Sequence, residues 1–593
     1  MMKYWITLTK RCGLLISFGV SALIGCQTSG QQQAELSIPT EAAVVDHGEK
    51  LFRANCTACH NFKRKAIGPA LGGVTTEVEA EWLHRFISNA PAMIDAGDVR
   101  AVALYEEYNQ YMPPFTSLDS SDVTAILGYL HKFQEKPVVL TSTAMGTVLA
   151  DPIPDKIKTS SLSLVLEEVA TAPATRAESP LARINKMLTL VDPRAGHPPR
   201  MFIHDLQGIL YEVDDSAFHP FLDVREQFSN FIDKPGLGTG LGSFAFHPDY
   251  YDNGLLYTIH TEPPGTAPAD YAFSDSIEVT LQWVLTEWKT NDAAAHTFEG
   301  THREVLRVNM MTGIHGMQEL TFNPTVRPGE EDYGLLYLSV GEGGAALHGH
   351  SELCQNLSGP WGTILRVDPR GKDGPNGQYG IPPSNPYAHD DSDSTLGEIW
   401  AYGFRNPHRI SWDTGGDHKM LVSGIGEKNA EELNQGVAGA NYGWPQREGT
   451  FLIDTHGDLS LPYPLPPNDE QLGFTYPVAQ YDHDEGNAIS GGYVYRGSAV
   501  PSLQGKYVFG DVVIGRLFYV ESDQLVLGQQ AEIYELGLRV NGQATDFRTL
   551  TNINRVDLRF GLGPDDELYL FTKSDGKVYQ VTGVSEGKVA LGY

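Results

Sequence analysis

Cysteine is scarce in this chain. Among 593 residues there are five: Cys12 and Cys26 near the N-terminus, Cys56 and Cys59 close together, and Cys354 alone. No disulfide framework can be built from such a set. Positive charge is short as well, with 43 Lys and Arg against 74 Asp and Glu, a net charge of −31. That surplus repels phosphate backbones and anionic membrane surfaces, which excludes nucleic acid as a partner. Past Ile24 no apolar run is long enough to span a bilayer. Disorder is excluded too, because hydrophobic residues make up 41% of the chain. The many Gly, Pro and Tyr fit a turn-rich globular protein. At roughly 150 residues per domain the length calls for more than one, and two domains of unequal size are expected.

The N-terminus carries its own signal. Lys3, Lys10 and Arg11 form a basic region, Leu14 to Ile24 an apolar one, and Gly25 precedes Cys26, the layout of a cleaved export signal over residues 1–25. A transmembrane anchor is the alternative, but the apolar run falls short of the roughly 20 residues a spanning helix needs. Leu23-Ile24-Gly25-Cys26 resembles a bacterial lipobox, in which Cys26 is acylated. Residues 26–45, with polar Gln27 to Glu35, then read as a tether. The expectation is an exported protein, lipid-anchored in the periplasm or at the outer membrane of a bacterium.

Asn55-Cys56-Thr57-Ala58-Cys59-His60 contains Cys-x-x-Cys-His, the attachment pattern of c-type haem. Both thiols add to vinyl groups while the adjacent imidazole reaches the iron. Zinc would need two more ligands at matched spacing, and a redox disulfide a βαβ context; neither follows. His60 is therefore the expected proximal ligand. Met112, in the proline-braced Tyr111-Met112-Pro113-Pro114-Phe115, is the expected sixth ligand. A short helix is predicted ahead of the motif with Asp46 as its N-cap. A second, capped by Ser120 or Ser121, carries Val123, Ile126, Leu127 and Leu130 at helical spacing. Residues 46–136, including the Ile67-Gly68-Pro69 turn, resemble a class I cytochrome c, which implies a small all-α domain. Its Met and His pair suits electron transfer.

Residues 137–179 are rich in Pro, Thr, Ser and Ala and read as a linker with one short helix near Leu162 to Val169. Over residues 180–593 short strands recur after turns, as in Gly208-Ile209-Leu210-Tyr211, Gly254-Leu255-Leu256-Tyr257, Gly334-Leu335-Leu336-Tyr337, Arg516-Leu517-Phe518-Tyr519 and Glu567-Leu568-Tyr569-Leu570. Such repetition without intervening helices predicts an all-β propeller, with an insertion-bearing β-sandwich as the alternative. The strings GLGSFAFHPDY, GIHGMQELTFNP, GTILRVDPRG, YGIPPSNPY, EIWAYGFRNPHRISWD, GANYGWP and GGYVYRG follow the order found in the glucose/sorbosone dehydrogenase family. The large domain resembles that family throughout. The resemblance implies a six-bladed β-propeller and, as in many members, pyrroloquinoline quinone (PQQ) as cofactor.

The resemblance also implies roles. His315 stands where the family has its catalytic base, and Arg405 and Asn406 where it binds PQQ. Arg496 and, more loosely, Arg516 stand as further cations for the three PQQ carboxylates. Gly426 and Glu427 stand where backbone carbonyls hold calcium, although Lys428 beside them would repel it unless it points away. Gly238 replaces a frequent Gln, Ile314 a polar residue, and Met317-Gln318 a glycine pair. Cys354 reads as a buried packing thiol. The expected function is oxidation of a sugar or other alcohol by a quinoprotein dehydrogenase, with electrons passed through the haem to a downstream acceptor. The alternative is a non-catalytic glycan- or protein-binding propeller that carries an electron-transfer cytochrome.

Overall fold

The computed structural model describes residues 36–587 except 57–59, 61, 63–67, 109–111, 116–117, 135–145, 193, 195, 236–237, 275, 391–394 and 456. The export signal, Cys26, Cys59, Tyr111 and Ile67 lie outside the described residues. No helix among those described is long and apolar enough to cross a membrane.

The small region is helical, with helices at Ala42–Asn55, Val74–Glu77, Ala80–Asp95, Val99–Tyr108 and Ser120–Leu130. The first and last cross at Gly48, where a Cβ would come within 1.9 Å of the Ala125 carbonyl oxygen, so only glycine allows this approach. Phe52, Val123, Ile126, Leu127 and Leu130 are buried there, each contributing about 1.5–3 kcal/mol of hydrophobic stabilisation. Two predicted caps are corrected. The first helix begins at Ala42, after Glu41, because Ala42 to Val45 continue its pattern ahead of Asp46. The last is capped by Asp119, whose side chain accepts from Ser121 and Asp122 in a capping box. The third helix breaks at Asn89, ahead of Pro91. Asn89 Oδ1 takes the Ala92 N–H at 3.1 Å, and the Ser88 carbonyl is left to accept the Phe115 N–H at 3.2 Å. That bond ties the described segment 112–115, which includes Met112, to the third helix.

The large region is a ring of six four-stranded blades. Their innermost strands are Ile184–Leu190, Ser243–Phe246, Met317–Phe322, Pro407–Trp412, Ile489–Val494 and Leu558–Leu562. Each packs against the next, and the last against the first. The repeated strings open strands as expected, at Ile209–Asp214, Leu255–Glu262, Leu336–Val340, Leu517–Glu521 and Leu568–Thr572. The predicted helix near Leu162 to Val169 is instead the strand Lys158–Thr171. It pairs antiparallel with Lys577–Glu586 and parallel with Tyr534–Val540. Leu164 and Leu166 are buried, a period of two that suits a strand. A segment read as linker thus supplies the outer strand of the sixth blade and joins it to the fifth. The stretch before it is tacked down by Leu149 N–H to Pro462 O at 2.9 Å, Ile153 N–H to Asp482 Oδ2 at 3.0 Å and Ile157 N–H to Glu485 Oε1 at 3.1 Å.

Candidate functional site

Two places carry chemistry, the first in the helical region. A cavity of about 280 Å³ is lined by Cys56, His60, Gly68, Pro69, Tyr108 and Met112, among others. His60 Nδ1 lies 2.9 Å from the Pro69 carbonyl. That bond assigns the proton to Nδ1 and leaves Nε2 as the free ligand nitrogen. Gly68 permits this packing, since a Cβ there would stand 2.3 Å from His60 Cε1. Burial holds the His60 imidazole below its ordinary pKa, opposed by the Pro69 bond and assisted by the charge of Lys428. Cys56 is buried. A thiol, a neutral imidazole and a thioether around one apolar hollow fit haem c.

The second place is one mouth of the ring, where strands leave for the next blade. His315 precedes the innermost strand of the third blade with φ 51°, a left-handed conformation, and its side chain is only 10% exposed. Its Nδ1 lies 3.3 Å from Glu342 Oε1, and Glu342 is fixed by the N–H groups of Gly344 at 2.9 Å and Ala346 at 2.7 Å. Burial, and then the Arg405 charge, lower the His315 pKa, while Glu342 opposes them. The ring is therefore neutral at neutral pH, with Nε2 available as proton acceptor.

Arg405 is buried and bonds the Gly426 carbonyl and the Glu427 carboxylate. The turn that offers this carbonyl is shaped from the other side by Glu448. Its Oε1 accepts the N–H groups of Glu427, Lys428, Asn429 and Ala430 at 2.7, 3.0, 2.8 and 3.1 Å, and its Oε2 accepts Asn429 Nδ2 at 2.6 Å. Four N–H groups converging on one carboxylate aim the turn's carbonyls away from it. Gly426 O therefore faces a guanidinium in this structure. Glu427 contributes a side chain to Arg405, and Lys428 points out toward Tyr108.

Beside Arg405 the ring interior is cationic. Burial, and then Arg409, Arg559 and Lys573, hold His408 well below the imidazole range. Burial and Arg409 push Arg559 down to about 9, and burial and Arg559 push Lys573 well down. Glu319 and Asp557 oppose them. Arg405 Nε, Asn406 Oδ1 and both His408 nitrogens are buried without a hydrogen-bond partner among the described residues. Buried guanidinium charge, the unspent Arg405 Nε–H and a His408 ring N–H are donors that fit a polycarboxylate such as PQQ, and Asn406 Oδ1 is an unspent acceptor beside them.

The structure brings His315, Arg405, Asn406, Gly426 and Glu427 together but not the other two arginines. Arg496 is paired with Asp413 at 2.6 and 2.7 Å. Asp413 follows the six-residue strand Pro407–Trp412 and Arg405 precedes it, so Arg496 lies at the far end of that strand, which is about 20 Å long at roughly 3.3 Å per residue. Arg516 is held between Glu535 and Glu485 at 2.5 to 2.9 Å. Both arginines are spent on ion pairs. Glu342, Glu448, His408, Arg559 and Lys573 were missed. Of these only His408, two residues beyond Asn406 in a quoted string, carried a sequence signal. Two of the noted departures are neighbours, since a Cβ on Gly238 would lie 3.8 Å from Gln318 Nε2. Cys354 is buried against Glu342, and burial raises its thiol well above the usual range, as suits packing.

Comparison with known proteins follows the same division. The Glucose / Sorbosone dehydrogenase family model matches residues 200–580, and the Cytochrome c model residues 45–134. HIPL2 protein of Arabidopsis thaliana is 29% identical over 343 residues, 51% of this chain and 45% of that protein. Hedgehog-interacting protein of Mus musculus is 27% identical over 326 residues, 53% of this chain and 39% of its own. The chain thus spans less than half the length of these curated relatives. Among solved structures, the soluble aldose sugar dehydrogenase of Escherichia coli in its apo-form aligns over 72% of this chain and 99% of its own, at 19% identity and a TM-score of 0.48.

Proposed function

The chain belongs to the glucose/sorbosone dehydrogenase family and carries a cytochrome c domain N-terminal to it, and from that premise we propose that it oxidises a sugar or other alcohol at the ring mouth. The observation that carries this reading is His315, held neutral and oriented on Glu342 beside Arg405. His315 Nε2 takes the proton of the substrate hydroxyl, and Glu342 steadies the imidazolium as it forms. Arg559 offers a guanidinium to a carboxylate and the neutral His408 a ring N–H, and Asn406 Oδ1 accepts a hydrogen bond. When bound, PQQ supplies a two-electron hydride acceptor and haem c a one-electron centre, so each alcohol oxidised sends two electrons singly to a downstream acceptor. Calcium enters no step here, because the Gly426 carbonyl already accepts from Arg405 and a guanidinium repels a divalent cation. The same reading has the chain exported and anchored through Cys26, supported by the basic and apolar segments and Leu23-Ile24-Gly25-Cys26.

One observation favours a second reading. Arg405 is already neutralised by Glu427, and two relatives are HIPL2 and Hedgehog-interacting protein, so a binding propeller that carries a cytochrome is the rival. Purified holocytochrome chain given PQQ and a panel of aldoses and alcohols decides between them. Haem reduction that His315→Ala abolishes, with an unchanged haem spectrum, supports the dehydrogenase. Tight glycan binding with no haem reduction supports the rival.

A further inference from the structure

The turn that bonds Arg405 also reaches the helical region, through Lys428. Lys428 has its backbone N–H on Glu448 Oε1 and its Nζ 3.1 Å from the Tyr108 carbonyl oxygen. The same ammonium lies 5.1 Å from the centre of the Tyr108 ring. Tyr108 is the last residue of the helix Val99–Tyr108 and lines the haem cavity together with Leu104, Tyr105 and Met112. A carbonyl in the last turn of a helix has no acceptor role within it and sits at the negative end of the helix dipole, where a cation is favoured. The lysine thus caps, from the other domain, the C-terminal end of the helix Val99–Tyr108. The sequence reading made this ammonium an obstacle beside the Gly426 and Glu427 carbonyls; the structure turns it away from them.

We infer that Lys428 is a positioning residue that clamps the C-terminal end of the helix Val99–Tyr108 to the turn 424–430, seating the haem crevice over the ring mouth, and that its charge raises the haem potential. Adding an electron to haem is easier beside a fixed positive charge in a partly buried setting. The inference rests on the electron-relay reading above, since a clamp between the two sites has its use in passing electrons between them.

The test uses the full holocytochrome chain without PQQ or sugar. Lys428→Met should lower the haem midpoint potential in a redox titration and speed amide exchange in the last turn of the helix Val99–Tyr108. Lys428→Arg, which keeps charge and reach, should retain both properties close to wild type. Lys506→Met, which removes a lysine paired with Glu521, should leave both unchanged. A Lys428→Met chain whose potential or exchange equals wild type overturns the inference, as does a Lys506→Met chain that shifts them equally. Because neither readout involves turnover, a wild-type chain that no sugar reduces would defeat the relay reading while the clamp stands.

Discussion

Glu448→Ala is the most exacting perturbation of the ring mouth, because one buried carboxylate shapes the whole turn. Its removal strips an acceptor from the N–H groups of Glu427, Lys428, Asn429 and Ala430 and from Asn429 Nδ2. Lys428 is partly exposed, and water can reach its N–H. Glu427, Asn429 and Ala430 are buried, so three backbone donors are left unsatisfied at about 1–3 kcal/mol each. They share one oxygen and the turn can relax, which puts the expected loss near the low end, about 3 kcal/mol. Glu448→Gln retains an acceptor oxygen but not the charge, and should lose about 1–2 kcal/mol, since charge-assisted bonds are roughly twice as strong as neutral ones. The assay is urea denaturation followed by tryptophan fluorescence, which reports the ring through Trp283, Trp288, Trp361, Trp400, Trp412 and Trp444. A Glu448→Ala chain within about 0.5 kcal/mol of wild type, the range of ordinary surface substitutions, would show that the turn holds its shape without the carboxylate.

Two further outcomes test the fold and its charges. Leu164→Ala in the closing strand should cost about 2–5 kcal/mol and destabilise the ring; a surface-sized effect in the same denaturation assay would mean the sixth blade closes without that strand. Acid should weaken the fold through His315 and His408, both held below 6.5. Below pH 6.5 the unfolded chain binds protons that the native state refuses, so stability is intact above 6.5 and falls below it, by up to about 1.4 kcal/mol per pH unit for each group. Melting curves from pH 7.5 to 5 check the sign, and a chain more stable at pH 5.5 than at 7 would contradict it.

What could be read in advance was what lies close together in the chain. Cys56, His60 and Met112 sit in local motifs whose spacing is set by the chemistry of haem, and the blade strings repeat a strand-opening turn. What escaped is set by partners far away in sequence. Lys158–Thr171 reads as linker with a short helix until Lys577–Glu586 and Tyr534–Val540 arrive to pair with it. Arg496 and Arg516 look like cofactor ligands until Asp413, Glu485 and Glu535 claim them. Lys428 looks misplaced until Tyr108 is seen across from it. Glu448 gave no hint, because a glutamate that gathers four N–H groups resembles a surface glutamate in sequence. Long-range ion pairs are written in two places at once, and either place alone is ordinary.

The lowered pKa of His315 raises a chemical difficulty whose resolution can be measured. A weaker base takes a hydroxyl proton less readily, by about 1.4 kcal/mol for each unit lost, so burial beside Arg405 works against the role proposed for it. Glu342 counters this: it is buried, fixed by Gly344 and Ala346, and acts to raise the His315 pKa. The imidazolium that forms in the transition state gains most from that carboxylate, while the neutral ground state gains only orientation. Glu342→Gln should therefore depress kcat about 100-fold, the lower end of what general base catalysis supplies, with KM little changed and the haem spectrum intact. It should also move the acid limb of the pH–rate profile to lower pH, because a support for the protonated ring is lost. A merely structural Glu342 would instead raise KM or unfold the third blade and leave the acid limb where it was, and that result would remove His315 from the chemistry.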